Sequence, residues 1–330
     1  MNEDLVRKYR DLWIEIFKDN AAFVEKYFKT FLNSSTFYHL NSDKAAINAP
    51  KELATALIAC DYKWFWNEKT LSFAYLSGIL TANKFRRQGF CSMLIKNTLN
   101  SLFDKDYSLC GLIAADDNLV NYYKKFSFVQ LAQVNEQIFG RIDADTKLFD
   151  KYIFIKDADI TDTRYKRFFN TKDNAIKHDN NTLQLYNNNE YLRLSVMYQG
   201  SIRAIAIGRK TKYFIELLDL EFTDKESKLA ILSFIAKSFR RDVKIMGTKN
   251  NMIRILNARQ ILQIYAYLHP YDNFSLHVED KFIEKNNITV ALKNGKLQDI
   301  DNSYKVRKIS IEELTLNLFS QATMYLMLDR

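Results

Sequence analysis

Eight glycines and two prolines in 330 residues are about a quarter of ordinary usage, so collagen-like, linker-rich and low-complexity architectures are excluded. Each glycine beside basic residues therefore carries more information than usual. Cysteine is scarce too. Cys60, Cys91 and Cys110 are an odd number without C-x-x-C spacing, which argues against a disulfide framework and a structural zinc site and favours a reducing compartment. His39, His178, His269 and His277 are isolated and build no H-E-x-x-H pattern, so no metal is expected. No apolar run approaches the roughly 18 residues of a membrane helix: residues 71–80 are interrupted by Ser72 and Ser77. Met1-Asn2-Glu3-Asp4 begins no basic segment followed by an apolar run, so no secretory signal is expected. A cytoplasmic protein without a membrane partner is the expectation. There is no P-loop, no G-x-S-x-G elbow and no Rossmann fingerprint.

What is present is a globular composition, with 47% hydrophobic, 14% aromatic and 26% charged residues. The length suits two or three domains. The formal charge of +9 raises the question of nucleic acid, but the basic residues are spread along the chain and have acidic neighbours, as in Arg240-Arg241-Asp242. A solvated surface is the expectation, with no nucleic-acid partner; an anionic small molecule stays compatible.

Leu5, Tyr9, Leu12, Trp13, Ile16 and Phe17 recur at helical spacing, as do Phe23, Val24, Tyr27, Phe28, Phe31 and Leu32 after a break at Asp19-Asn20. Residues 54–66 read equally as strand or helix. Residues 71–81 read as a buried strand, followed by Arg86-Arg87-Gln88-Gly89 and at once by a helix with Phe90, Leu94, Ile95, Leu99, Leu102 and Phe103 on one face. A strand over 109–115, a helix capped by Asp116-Asp117-Asn118 and a strand at 126–129 complete this block. A second block repeats strand, helix, strand: strands at 191–198 and 201–207 flank Gln199-Gly200, then come a strand at 214–222, a helix at 224–239 and a strand at 243–246. It has Thr223-Asp224-Lys225-Glu226 where the first block has its basic, glycine-containing turn. A third block reads as a strand at 253–256, a helix at 258–268, short strands at 274–278, 288–292 and 305–309, an Asn294-Gly295 hairpin turn, and a capping box at Ser310-Ile311-Glu312-Glu313 opening a helix to about Phe319.

The turn before the helix at Phe90 is the constellation that bears on chemistry. Backbone N–H groups at a helix N-terminus, with the helix dipole behind them, make a phosphate site. Gly89 permits close approach of an anion, and Arg86 and Arg87 add charge at the rim. The same residues also suit a plain strand-to-helix turn with solvated arginines. Further along, Tyr122-Tyr123-Lys124-Lys125-Phe126-Ser127-Phe128 closes the next strand-helix unit.

Taken together the two segments resemble the GNAT superfamily of acetyl-CoA-dependent N-acetyltransferases. Its pyrophosphate loop R/Q-x-x-G-x-G/A is matched by Arg86-Arg87-Gln88-Gly89-Phe90-Cys91, with Cys91 in place of Gly or Ala. Its Y-x-K-x-G-F is matched by Tyr123-Lys124-Lys125-Phe126-Ser127-Phe128, with Ser127 in place of Gly. The layout is similar to the Eis-like (enhanced intracellular survival) branch. The resemblance implies an α+β fold in three parts: a GNAT domain with a mixed sheet flanked by helices (1–140), a GNAT-like domain without the pyrophosphate loop (141–250), and a sterol-carrier-like domain (251–330).

The roles it implies are these. Ile79, Leu80 and Thr81 present strand backbone to the pantetheine arm and the thioester. The backbone of Arg86, Arg87, Gln88, Gly89, Phe90, Cys91 and Ser92 holds the pyrophosphate, and Asn118 touches the pantetheine. Tyr123 protonates the leaving thiolate, with Tyr122 as its partner in the core. The terminal carboxylate of Arg330 deprotonates the amine. Acetyl-CoA is then the co-substrate, a primary amine of a cationic small molecule or peptide is the acceptor, and a homo-oligomer is compatible. The competing reading is a non-catalytic acyl-CoA or lipid-binding protein.

Overall fold

The computed structural model describes residues 3–42, 52–156, 175–177, 183, 185–187, 189–301, 306–322 and 324. In chain order its elements begin with helices α1 (Glu3–Phe17) and α2 (Ala21–Phe31) and strands β1 (Ser35–Asn41), β2 (Leu53–Trp66) and β3 (Lys69–Thr81). Then come α3 (Phe90–Asp104), β4 (Leu109–Ile113), α4 (Asp117–Lys124), β5 (Val129–Gln130), β6 (Gln137–Phe139), β7 (Ile153–Lys156) and β8 (Ala175–Lys177). They continue with β9 (Leu192–Tyr198), β10 (Ser201–Lys210), β11 (Phe214–Phe222), α5 (Lys225–Phe239), β12 (Asp242–Ile245) and β13 (Asn251–Ile255). The last are α6 (Ala258–Leu268), β14 (Phe274–Glu279), β15 (Ile288–Lys293), β16 (Lys296–Asp299), β17 (Arg307–Ser310) and α7 (Ile311–Phe319).

The ambiguous segment is a strand, β2. Most of its residues are buried, so neither face leaves an alternating signature. The two hairpin turns are as expected: Gln199-Gly200 and Asn294-Gly295 both take left-handed φ at both positions. Among the described residues no helix is long and apolar enough to cross a membrane.

The chain divides into two compact units rather than three, one of residues up to 131 with 250–322, the other built on 132–249. β13 lies at the start of the segment 251–330, for which a separate domain was expected, and belongs to the first sheet. This strand pairs antiparallel with β4 through Asn251↔Ile113 to Ile255↔Leu109, and with β5 through Met252↔Gln130 and Ile253↔Val129. A strand bonded on both edges is an interior member of its sheet, so the first sheet is incomplete without it.

The first unit's larger sheet runs β1-β2-β3-β4-β13-β5, antiparallel throughout except at β3–β4. Side-chain alternation along β3 separates its two faces. Ala74 and Leu76 join Leu94, Ile95 and Leu99 of α3 and Val120 of α4 in one core. On the other face Ser77 accepts a hydrogen bond from the Tyr27 hydroxyl of α2 at 2.8 Å. Fully burying each such aliphatic side chain contributes about 1.5–3 kcal/mol. Gly78 is in the left-handed region (φ +59°), its carbonyl accepts the Tyr9 hydroxyl at 2.8 Å, and a Cβ there would collide with Trp13 and Tyr9 of α1. A smaller sheet, β16-β15-β14-β17, completes this unit.

The second unit is a sheet in the order β6-β12-β11-β10-β9-β7 with α5 on one face. Asp224 caps α5 in a capping box with Ser227, so this helix N-terminus is closed by its own side chain. Among the described residues no side chain caps the N-terminus of α3.

Candidate active site

The opening in the first sheet comes from where its parallel ladder stops. β3 and β4 pair only from Phe73↔Leu109 to Tyr75↔Gly111, yet β3 continues to Thr81. Among the described residues the β4-facing edge of residues 76–81 thus has no ladder partner, at the carboxyl end of adjacent parallel strands, where α/β folds hold ligands. The β2 register slips opposite Leu57, between the Leu80↔Ala56 and Ser77↔Ile58 pairs, which places Gly78 and Ile79 in a bulge. Of the expected strand residues, Ile79 lies in this bulge. The Leu80 carbonyl accepts the Thr55 hydroxyl at 2.7 Å, and the Thr81 carbonyl accepts Arg86 Nε at 3.3 Å.

Beyond Thr81 a short 3-10 turn over Asn83–Phe85 leads to Arg86 in extended conformation, Arg87 at φ 60° and Gly89 at φ 87°, the N-cap of α3. The Gln88 side chain donates to the Lys84 carbonyl at 2.8 Å, and Phe85 meets Phe90 edge-on at 5.6 Å. These contacts fix the turn from behind. In front, no described residue lies within 4 Å of where a Gly89 side chain would begin. Arg86, Arg87, Gln88 and Gly89 are exposed, Phe90 is buried, and Cys91 and Ser92 are half-buried. This arrangement fits an anion: a left-handed glycine, an uncapped helix start and open space before both.

α4 brings the second segment to the same place. Asp116 caps it by accepting the Leu119 N–H at 2.8 Å, and Asn118 is exposed in its first turn. Val120 and Tyr123 face inward, three residues apart. Tyr123 is 6% exposed, edge-on to Tyr122 at 5.4 Å and to Phe128 at 6.2 Å. Burial pushes its phenol pKa up, and the nearby Cys91 and Tyr122 add to the shift. Tyr122, expected as the core partner, is the more exposed of the two. One residue further round the helix, it lies off the inward face, and its hydroxyl is 3.0 Å from Ser92 Oγ. Burial also raises the Cys91 thiol, with hydrogen bonds to Tyr122 and Thr81 opposing that shift. Desolvation outweighs those hydrogen bonds, so Cys91 is a packing residue and not an activated thiol. Thr81, Cys91, Ser92, Tyr122 and Tyr123 thus converge at the head of α3.

Two contacts that support this site, one from Ser127 and one from Arg254, had no part in the motif reading. Ser127 sits at φ 65°, which explains the preference for glycine at that motif position, and its hydroxyl donates to Glu312 Oε1 at 2.6 Å. Ser127→Gly relieves about 1 kcal/mol of backbone strain and loses a hydrogen bond to a carboxylate worth about 1.5–3 kcal/mol, two effects of opposite sign that leave a small net loss. Its thermal midpoint is therefore expected within a few degrees of the parent, and a drop beyond 10 °C contradicts this balance. The second support is Arg254 of β13, which donates to the Phe126 carbonyl at 2.6 Å and to both Asp280 oxygens at 2.7 Å. The signal was in the sequence, a lone arginine within Met252-Ile253-Arg254-Ile255-Leu256.

Among the described residues no group of three or more His, Cys, Asp or Glu could hold a metal. His277 bonds the Thr289 hydroxyl at 2.7 Å, His269 stacks on Tyr265 and His39 on Phe37. His178 and Arg330 lie outside the described residues.

Residues 1–130 match the family model described as an acetyltransferase (GNAT) domain. The match places an acyltransferase domain of the GNAT class over the crevice, the turn at Gly89 and α4. None of the curated protein sequences compared with the chain matches it. Solved structures share the fold over nearly the whole chain. A probable N-acyltransferase from Enterococcus faecalis is similar at TM-score 0.78 and 15% identity, covering 96% of this chain and 87% of that one. A GCN5-related N-acetyltransferase from Anabaena variabilis is similar at 0.76 and 14%, covering 98% and 92%. Eis1 from Mycobacterium abscessus is similar at 0.70 and 9%, covering 97% and 88%. The fold is the mixed α/β arrangement of GNAT-type proteins.

Proposed function

We propose that the chain is an acetyl-CoA-dependent N-acetyltransferase that moves an acetyl group directly to a primary amine of a cationic substrate, on the Eis-like plan. The observation that carries this reading is the pairing of two openings: the unpartnered edge of β3 beyond Tyr75 and the uncapped, glycine-led start of α3 that follows it. A coenzyme A diphosphate fits the backbone amides of residues 87–92, with Arg86 and Arg87 at the rim, and its pantetheine arm fits along Ile79, Leu80 and Thr81, with Asn118 at its side. The thioester then lies by the β3 bulge. The amine nitrogen attacks the carbonyl carbon, charge develops on the carbonyl oxygen, the C–S bond breaks, and amide and free thiol result. Strand N–H groups stabilise the developing oxyanion, and holding both reactants together supplies much of the acceleration.

Tyr123 is the proton donor to the leaving thiolate in this reading. Its raised pKa keeps the phenol protonated through neutral and alkaline pH, and makes it a weaker acid than a free tyrosine. The sign is definite: an acid whose pKa is pushed above the usual value of about 10 is not lost on the alkaline side. Turnover of an acceptor whose amine is already unprotonated is therefore expected to stay level between roughly pH 8 and 10. A rate that halves across that interval without unfolding removes Tyr123 as the acid. The carboxylate of Arg330 is the proposed base, tested by deleting the last residues and assaying turnover.

The deciding experiment is thiol release from acetyl-CoA with a panel of polyamine, aminoglycoside and peptide amines. Tyr123→Phe is expected to lower turnover about ten- to a hundredfold, at or below the low end of general-acid effects, because a thiol of pKa near 8.5 is already a good leaving group. Release that survives Tyr123→Phe and Arg86→Ala together overturns the mechanism.

A further inference from the structure

Tyr122 stands beside the motif tyrosine and has no role in the mechanism above. Its ring is clamped edge-on between Tyr123 at 5.4 Å and Phe126 at 5.3 Å, so its hydroxyl has a fixed position. That hydroxyl is 3.0 Å from Ser92 Oγ, in the first turn of α3, and it also meets the Cys91 side chain. Ser92 is thus tied at the one place where the helix lacks a cap. Either hydroxyl can donate in the free protein. An anion at the head of α3 removes the choice. Ser92 has a single proton, the anion only accepts, and so Ser92 turns its proton to the anion while Tyr122 donates to Ser92.

We infer that Tyr122 is a positioning residue for diphosphate binding, acting through Ser92 to hold a hydroxyl donor at the start of α3. The inference rests on the proposed acetyl-CoA site. In a chain of hydrogen bonds each member polarises the next, so the phenol both orients Ser92 and makes it a better donor. Tyr122→Phe keeps the clamped ring and removes only the hydroxyl. Ser92 is then left to rotate among its rotamers, and binding weakens without loss of the fold. The separation of the two neighbouring tyrosines follows: Tyr123 acts on the breaking bond and Tyr122 on cofactor affinity.

The test is calorimetric titration of the full chain with coenzyme A, beside steady-state turnover of acetyl-CoA, for the parent, Tyr122→Phe, Ser92→Ala and the double variant. One hydrogen bond is worth about 0.5–1.5 kcal/mol, so Tyr122→Phe is expected to weaken coenzyme A binding roughly three- to tenfold and raise KM equally, with kcat at saturation within twofold. The double variant is expected to bind no more weakly than Ser92→Ala alone, since Tyr122 acts only through Ser92. Unchanged binding by Tyr122→Phe, effects that multiply in the double variant, or a fall in kcat at unchanged affinity each overturn the inference. A parent chain that binds no coenzyme A overturns the proposed function itself, which is a different result from a parent that binds and a Tyr122→Phe variant that binds as well.

Discussion

Arg254→Ala is expected to destabilise the chain by about 3–5 kcal/mol, the cost of removing one partner from a fully buried ion pair. Both side chains are 0% exposed. Asp280 also accepts the Phe282 N–H at 2.9 Å, the Ile283 N–H at 3.2 Å and Asn286 Nδ2 at 2.9 Å, so its loop is organised around a charge that alanine leaves without its cation. The Phe126 carbonyl loses its guanidinium donor as well, directly before the left-handed Ser127. The loss is therefore transmitted to the end of α4, where Tyr122 and Tyr123 are placed. Replacing Arg254 and Asp280 together by apolar residues of similar volume is expected to recover much of the loss, because no uncompensated charge then stays buried. Urea unfolding of the full chain, followed by fluorescence, measures both variants. A shift below 1 kcal/mol for Arg254→Ala, or a double variant as unstable as the single, contradicts this account.

Gly89→Ala is expected to cost coenzyme A affinity about ten- to a hundredfold while leaving the fold in place. The backbone cost is about 1–2 kcal/mol, for an L-residue held in the left-handed region. No steric cost adds to it, since no described residue lies within 4 Å of the new methyl group. That same empty volume is where a diphosphate must approach the amides of the turn. A methyl there holds the anion off one charge-assisted hydrogen bond, worth about 1.5–3 kcal/mol. Calorimetric titration beside a thermal melt separates the two effects. Undiminished binding by a folded Gly89→Ala chain removes this turn from the cofactor site.

Where one physical signal dominated, the sequence carried the answer. The aromatic stripes of α1 and α2, the paired turns Gln199-Gly200 and Asn294-Gly295, the Ser310 capping box, and the run from β3 through Gly89 into α3 all depend on neighbours within a few positions, and all are in the structure. β2 was ambiguous because it is covered on both faces, and β1 stayed unseen because its residues are all half-buried, so neither alternates. The two-unit division was out of reach because it turns on β13 pairing with strands more than 120 positions earlier, and register at that distance leaves no local mark. For Tyr122 and Tyr123, spacing against a motif says which residue aligns, and only the helix face says which ring is the more buried.

β13 has one more consequence, for the order in which the protein can be made. Among the described residues β5 bonds to no strand of its sheet except β13, and that edge of β4 has no other neighbour. A nascent polypeptide emerging through position 131 therefore holds its acyl-transfer half with a gap, and must keep it open while more than a hundred further amino acids leave the ribosome. During that interval the gap is a pair of unsatisfied strand edges exposed to other chains. Excising the first 131 residues as a minimal enzyme recreates that state permanently, so a soluble active fragment has to carry the distant strand with it.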